Sequence, residues 1–385
     1  MPGRRLLFVV NDTAFFVSHR LPVAVAAQEA GFEIALAALD AGGLEEVRAH
    51  RIAYHPLAVD RTGVNLLRDV RLFCQMVRLI RTVRPTLVHT VTIKPALYGG
   101  IAARLLRVHG LVSAVSGLGL VFVDPAPMVS MLRPIVRAMY RLALGHRNSC
   151  AIFQNPDDLR HLVDAGLVAS RNAVLIRGSG VNVSVFQPTP PPPGSPIVIM
   201  PGRLLWHKGV GEFVEAARLL QREGAGIRMV LVGEPPAHNR ASVPRSKIEA
   251  WVNQGVIEWW GYRPDMPQVY ADSHIVCLPS FYGEGVPLTL IEAAACARPI
   301  VTTDTPGCRE IVRHGDNGLL VPPREPGALA EALRMLADDP ARRIEMGRRG
   351  RERAVAEFSL DRVIAATLAV YQRLSATAEQ SAPVP

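Results

Sequence analysis

Short apolar runs alternate with helical patterns along nearly the whole chain, and this alternation restricts the fold more than any other feature. Residues 6–10, 32–39, 52–59, 86–91, 111–115, 151–155 and 173–176 read as strands, with helical stretches between them; residues 19–30 form one such stretch, closed by Gly31. Continuous apolar strands separated by helices imply a parallel sheet covered on both faces. Gln187-Pro-Thr-Pro-Pro-Pro-Pro-Pro-Gly-Ser-Pro196 then interrupts the pattern. A proline run cannot enter a helix or a sheet interior and reads as a stiff connector. Beyond it the alternation restarts, with strands at 197–200, 228–232, 257–259, 275–278 and 300–301 and helices near 209–223, 246–254 and 287–297. Three helical segments near 326–338, 340–356 and 360–374 close the chain, and 376–385 reads as a frayed end. A chain of 385 residues fits two domains of ordinary size. The expected division is 1–187, a linker at 188–196, a second domain at 197–358, and a terminal segment at 359–385.

The net charge of +9 is confined to the first half. Residues 1–190 hold 21 Lys and Arg against 12 Asp and Glu, whereas residues 191–385 hold 22 against 22. A basic half suits nucleic acid, an anionic membrane surface or an acidic acceptor. No zinc finger and no RNA-binding aromatic signature is present, which argues against nucleic acid. Two segments instead place arginines at helical spacing: Arg68, Arg71, Arg78 and Arg81 within 68–84, and Arg133, Arg137 and Arg141 within 131–147. Such helices can lie on anionic lipid, or can be domain helices with a solvated basic face. No apolar run approaches a membrane span and no signal peptide is visible. The five cysteines are scattered, without Cys-x-x-Cys spacing, as in a reducing compartment. The expected location is cytoplasmic, peripheral on the inner face of the membrane.

The chemistry-bearing residues concentrate after residue 197. Phe281-Tyr-Gly-Glu-Gly-Val-Pro-Leu-Thr-Leu-Ile-Glu292 sets Glu284 in a glycine-flanked loop after a strand and Glu292 inside the helix that follows. Pro287 suits the first turn of that helix. The unpaired amides and positive end of a helix dipole there can hold a phosphate, while carboxylates suit sugar diols. Pro201-Gly-Arg-Leu-Leu-Trp-His-Lys-Gly209 brings Arg203 and Lys208 into the turn after another strand. The chain has 40 arginines but only three lysines, Lys94, Lys208 and Lys247, so Lys208 is a rare compact point charge. There is no Asp-x-Asp and no metal-ligand spacing. A buried structural carboxylate paired with a helix-capping one is the bland alternative for the two glutamates.

Together with Ala297-Arg-Pro-Ile-Val-Thr-Thr-Asp-Thr-Pro-Gly-Cys-Arg-Glu310 and Gly315-Asp-Asn-Gly-Leu-Leu-Val-Pro322, these segments resemble the E-x7-E region of family 4 retaining glycosyltransferases. The resemblance covers nearly the whole chain and is densest over 197–323. It implies an α/β architecture of the GT-B type: two facing Rossmann-like domains, with a C-terminal helix crossing back to the first. It implies Arg203 and Lys208 on the donor diphosphate, Glu284 on the donor sugar and Glu292 on the ribose. Gly202, Gly285, Val286, Pro287 and Leu288 would present backbone to the donor. Tyr262 and Arg263 would lie beside the base, stacked on it or exposed.

Ala114-Val-Ser-Gly-Leu-Gly departs from the family, because Ser116 stands where many relatives carry a histidine before Gly117. That departure resembles the subgroup building capsule, O-antigen and bacterial N-glycan precursors on a lipid carrier. Asn11-Asp-Thr-Ala-Phe-Phe-Val-Ser-His-Arg-Leu-Pro22 and His89-Thr-Val-Thr-Ile-Lys-Pro95 resemble it as well. The acceptor-side candidates are therefore Asn11, His19, Arg20, His89, Lys94, Ser116 and Gly117, although lone histidines are also common structural residues. The expected activity is retaining transfer of an N-acetylhexosamine from a UDP-sugar, without a metal or other cofactor, to a saccharide on undecaprenyl diphosphate. A UDP-sugar 2-epimerase and a non-catalytic sugar-nucleotide-binding subunit are the rival readings.

Overall fold

The structure is a computed structural model that describes residues 4–59, 66–115, 117, 127–237, 239–281 and 285–379, the side chains of 127–132 and 377–379 excepted. The chain forms two compact units, one of residues 1–179 and 361–385 and one of residues 180–360. The division falls ahead of the expected linker at 188–196. The proline-rich segment belongs to the second unit, because buried Arg298 clamps Thr189, donating to its carbonyl at 2.9 Å and to its hydroxyl at 2.6 Å.

The first unit is a seven-stranded parallel sheet in the order β3-β2-β1-β4-β5-β6-β7. The strands are β1 (Arg4–Asp12), β2 (Phe32–Leu39), β3 (Ala53–Pro56), β4 (Leu87–Val91), β5 (Gly110–Val115), β6 (Ser149–Phe153) and β7 (Ala173–Leu175). Every residue of β4, β5 and β6 is buried, as the uninterrupted apolar runs require of strands covered on both faces. Leu6 pairs with Leu87 and Val9 with Thr90, which fixes β1 beside β4. The expected single helix over 19–30 is instead two, Thr13–His19 and Leu21–Glu29, broken at Arg20. Asp12 starts the first by accepting the Phe15 amide at 2.7 Å. Pro22 has no amide proton with which to continue it, so a second helix starts at Leu21. The terminal helix Leu360–Glu379 contributes Val363, Val370, Tyr371 and Leu374 to the core of this unit, and it runs to Glu379, past the expected start of the frayed end at 376.

The second unit carries a six-stranded parallel sheet in the order β10-β9-β8-β11-β12-β13. Its strands are β8 (Ile197–Pro201), β9 (Arg228–Val232), β10 (Glu258–Trp259), β11 (Ile275–Leu278), β12 (Ile300–Thr303) and β13 (Gly318–Val321). In each sheet the strand order reverses once, between β1 and β4 and between β8 and β11. In open parallel sheets ligands bind beyond the carboxyl ends of the strands at this reversal.

Two helices bear on surface chemistry. Leu66–Val83 buries Leu72, Met76 and Ile80 but leaves Leu66, Leu67 and Val70 exposed beside exposed Arg71, Arg78 and Arg81. Pro127–Leu144 exposes Ile135 and Leu142 with Arg137 and Arg141. Among the described residues no helix is long and apolar enough to cross a membrane.

Candidate active site

The sequence-predicted donor residues gather at the β8/β11 reversal of the second unit. After β8 the chain passes exposed Gly202 and Arg203 and makes a single 3-10 turn, Trp206–Lys208. The turn ends at Gly209, whose φ of 87° no β-carbon could tolerate here: one would lie 2.1 Å from the Pro279 carbonyl oxygen. The loop after β11 is fastened to the same turn. The Ser280 hydroxyl and the Phe281 amide both donate to the His207 carbonyl, each at 3.2 Å. Arg203 and half-buried Lys208 thus share one loop cluster with the segment leading into the glutamate-bearing helix. Glu284 lies outside the described residues.

That helix is Leu288–Ala295. Pro287 lies just before it as the capping residue, a correction to the expected first-turn position, because its ψ of 120° is extended. Its carbonyl takes the amides of Leu290 at 3.1 Å and Ile291 at 3.3 Å. The amides of Leu288 and Thr289 remain at the helix mouth with the positive end of the dipole. Gly285, Val286 and Pro287 are buried there, and Leu288 is half-buried. A turn further in, Glu292 receives a hydrogen bond from Tyr270, whose hydroxyl lies 2.8 Å from Oε2 and shares its proton with the Thr289 carbonyl at 3.1 Å. Burial pushes the Glu292 carboxyl up to about 7, and the Tyr270 bond pulls it partly back. Oε1 has no partner among the described residues and is left to accept from a ligand hydroxyl.

A third loop completes the cluster. The Gly233 amide donates to the Gly261 carbonyl at 2.7 Å, and the Trp259 indole donates to the Gly233 carbonyl at 2.8 Å. A β-carbon on Gly233 would meet the Gly202 carbonyl oxygen at 2.0 Å, so this loop packs directly on the turn after β8. Tyr262 stands 73% exposed beside it, while Arg263 is held by both oxygens of Asp265 at 2.8 and 2.5 Å. Sequence reasoning missed Gly233 and Tyr270. A glycine closing a strand was a usable signal for the first; Tyr270 is distant in sequence from its partner and carried none.

The first-unit candidates are spread more widely. Arg20 and His89 are buried with Tyr371, and His89 Nδ1 lies 2.5 Å from the Tyr371 hydroxyl. Burial, reinforced by Arg20, lowers the His89 pKa well below its ordinary value and keeps the ring neutral. Asn11 stands at the end of β1 and Gly117 just beyond β5, at a φ of 112°. Lys94 pairs with buried Asp69 at 2.8 Å, and His19 stacks on Phe15 at 4.1 Å and meets Ser18 Oγ at 2.7 Å. Ser116 lies outside the described residues. Among those described, no group of three His, Cys, Asp or Glu could hold a metal ion.

A turn carrying two cations, a helix mouth whose first amides have no partner among the described residues, and a buried carboxylate suit a diphosphate joined to a ribose. Comparison with known proteins is consistent with that chemistry. Residues 184–353 match the family model described as glycosyl transferases group 1, and residues 5–155 match the glycosyl transferase 4-like model. The chain is 24% identical over 364 residues to an N,N'-diacetylbacillosaminyl-diphospho-undecaprenol alpha-1,3-N-acetylgalactosaminyltransferase of Campylobacter jejuni, covering 91% of this chain and 94% of that one. Its fold matches sucrose-phosphate synthase from Thermosynechococcus elongatus with a TM-score of 0.78 at 20% identity, covering 97% and 100% of the two chains. It also matches Anabaena HepE in complex with UDP-glucose, with a TM-score of 0.72 at 19% identity over 95% and 99%.

Proposed function

The chain belongs to the glycosyltransferases, a group 1 domain following a 4-like domain on a GT-B fold, and from that premise we propose that it moves a sugar from a UDP-sugar to a lipid-linked diphosphate saccharide with retention at the anomeric carbon. One observation carries the donor half. At the β8/β11 reversal the Arg203–Lys208 turn is bonded to the loop entering helix Leu288–Ala295, and Glu292 presents a free carboxylate oxygen inside that helix. Arg203, Lys208 and the helix amides take the diphosphate, Glu292 the ribose and Glu284 the sugar hydroxyls. The uridine base rests near Gly261 and Tyr262.

In the proposed reaction the acceptor hydroxyl oxygen bonds to C1 on the face from which the diphosphate leaves. The C1–O electron pair departs with the β-phosphate, which also takes the hydroxyl proton. Fixed cations and amides stabilise the charge that collects there, so the scheme needs no metal. The lipid-linked acceptor, and an N-acetylhexosamine as the transferred sugar, rest on similarity to the Campylobacter transferase along nearly the full length of both chains. A place in the assembly of bacterial surface glycans follows from the same similarity. The basic helices at 68–84 and 131–147, with their exposed apolar side chains, would hold the enzyme against anionic lipid where such acceptors reside.

The test is thermal stability against UDP, GDP, ADP, TDP and a panel of UDP-sugars, with and without EDTA. A ligand that binds only the native state raises the melting temperature. UDP and one UDP-sugar are expected to stabilise the protein equally with EDTA present. A flat response to every nucleotide overturns the donor site, and loss of the response with EDTA overturns the metal-free scheme.

A further inference from the structure

The second sheet holds its donor residues at the reversal of strand order, and the first sheet has a reversal of its own between β1 and β4. The register that pairs Phe8 with His89 and Val9 with Thr90 leads toward Asn11 and Thr92 at the carboxyl ends of these two strands. Asn11 Oδ1, Arg20 Nε, His89 Nε2 and Thr92 Oγ1 are all buried without a hydrogen-bond partner. Asn11 and Thr92 are half-buried, whereas Arg20 and His89 lie deeper, 5% and 1% exposed. Buried polar atoms are satisfied in the great majority of native sites, so orphans on both strands flanking this reversal, with Arg20 acting on His89 beside them, call for an occupant.

Their chemistry narrows the occupant. No carboxylate bonds the Arg20 guanidinium among the described residues, and a buried cation without a partner is strongly unfavourable. The neighbouring histidine cannot share the charge, because burial and Arg20 together keep it neutral. In the tautomer whose Nδ1 accepts the Tyr371 hydroxyl proton, the second nitrogen carries the ring proton and is a donor. The Thr92 hydroxyl adds another donor. Thr92 also holds a φ of 75°, strained for a β-branched residue and of the kind kept at binding sites.

We infer that the β1/β4 reversal of the first unit, with Arg20 as its cation and His89 and Thr92 as its donors, binds an anionic oxygen group of the acceptor. The inference rests on the acceptor reading above and deepens it. The oxyanion comes either from the diphosphate of the carrier lipid or from an acidic sugar. Tyr371, reaching in from the terminal helix, is the positioning residue that fixes the His89 tautomer.

The experiment measures melting of the full chain saturated with UDP, so that the donor site is closed to other phosphates. Farnesyl diphosphate and glucuronate are the anionic probes, and farnesol and glucose are their neutral counterparts. Stabilisation by farnesyl diphosphate alone names the carrier as the source; stabilisation by glucuronate alone names an acidic sugar. Arg20→Met is expected to lose the anion response at least tenfold, to keep the UDP response, and to melt no lower than the parent without ligand. Thr92→Val is expected to weaken the anion response several-fold, and it supplies the test where Arg20→Met does not fold. Stabilisation by neither anion, equal stabilisation by the neutral probes, or an anion response unchanged in the variants overturns the inference. A lower melting point with an unchanged anion response assigns Arg20 to the core. Loss of the UDP response in the parent is a failure of the donor reading and is distinguishable from all of these.

Discussion

The Tyr270 hydroxyl lies 2.8 Å from Glu292 Oε2, and this bond joins a residue before β11 to the carboxylate inside the helix after it. It fixes which oxygen of Glu292 faces the protein and which is left for a ligand. It also stabilises the carboxylate against the burial that pushes its pKa up to about 7.

The raised pKa has two consequences of opposite sign. The folded protein holds a proton on Glu292 that the unfolded chain releases near the ordinary 4.5. The resulting stability is therefore fully present below about 4.5 and is lost as pH rises through about 7. Relative to Glu292→Gln, the wild type should lose melting temperature between pH 5 and 8. Donor binding should run the other way, because the ionised carboxylate accepts ribose hydroxyls better. UDP-sugar affinity should rise across the same range in the wild type and stay flat in Glu292→Gln. Tyr270→Phe removes the bond that lowers the pKa, so its affinity profile should move to higher pH. A pH-independent wild type would contradict the assignment.

Arg203→Ala and Lys208→Ala should each lower kcat/KM about 100- to 1000-fold, the usual effect of removing one electrostatic contact to a departing group, and Glu284→Ala, which removes a contact to the donor sugar, should lose most turnover as well. Steady-state kinetics with the donor that stabilises the protein measures this. Near-parental rates in Lys208→Ala and Glu284→Ala together would remove both residues from the site.

Gly209→Ala should separate two loops as well as strain one. Its β-carbon would lie 2.1 Å from the Pro279 carbonyl oxygen, at a backbone φ of 87°. We expect a loss of roughly 2–4 kcal/mol in urea unfolding, together with weaker UDP binding. A stable variant with parental affinity would show that the contact is dispensable.

Replacing Arg71, Arg78 and Arg81 with Glu should abolish sedimentation with phosphatidylglycerol vesicles. Each basic residue near an anionic surface contributes about 1 kcal/mol, and salt screens the attraction. Wild-type binding should accordingly fall between low and physiological ionic strength. Equal binding by the variant would assign these arginines to a solvated face only.

The parallel architecture was legible because β4, β5, β6 and β8 are buried on both faces and had to be written as unbroken apolar runs. The donor cluster was legible because a turn after a strand and a loop entering a helix need glycines at fixed places, Gly209 among them. What escaped depends on distant pairings. Arg298 draws the proline-rich segment into the second unit through Thr189, so composition alone misplaced the division. The short strand β13 was not among the expected strands, because four residues, Gly318-Leu-Leu-Val321, carry little pattern of their own and become a strand by pairing with β12. The break at Arg20 follows from Pro22, which falls in the first turn of a helix starting at residue 19 and so gives no stop signal there.

The central claim is that UDP binds at the β8/β11 reversal, and amide hydrogen exchange with and without UDP tests it most directly. Opening of a loop is suppressed where a ligand holds it. The account expects UDP to protect three segments of the second unit: the turn Gly202–Gly209, the helix mouth from Gly285 to Glu292, and the loop around Gly261–Arg263. Protection confined to the first unit, or absent at saturating UDP, would contradict it.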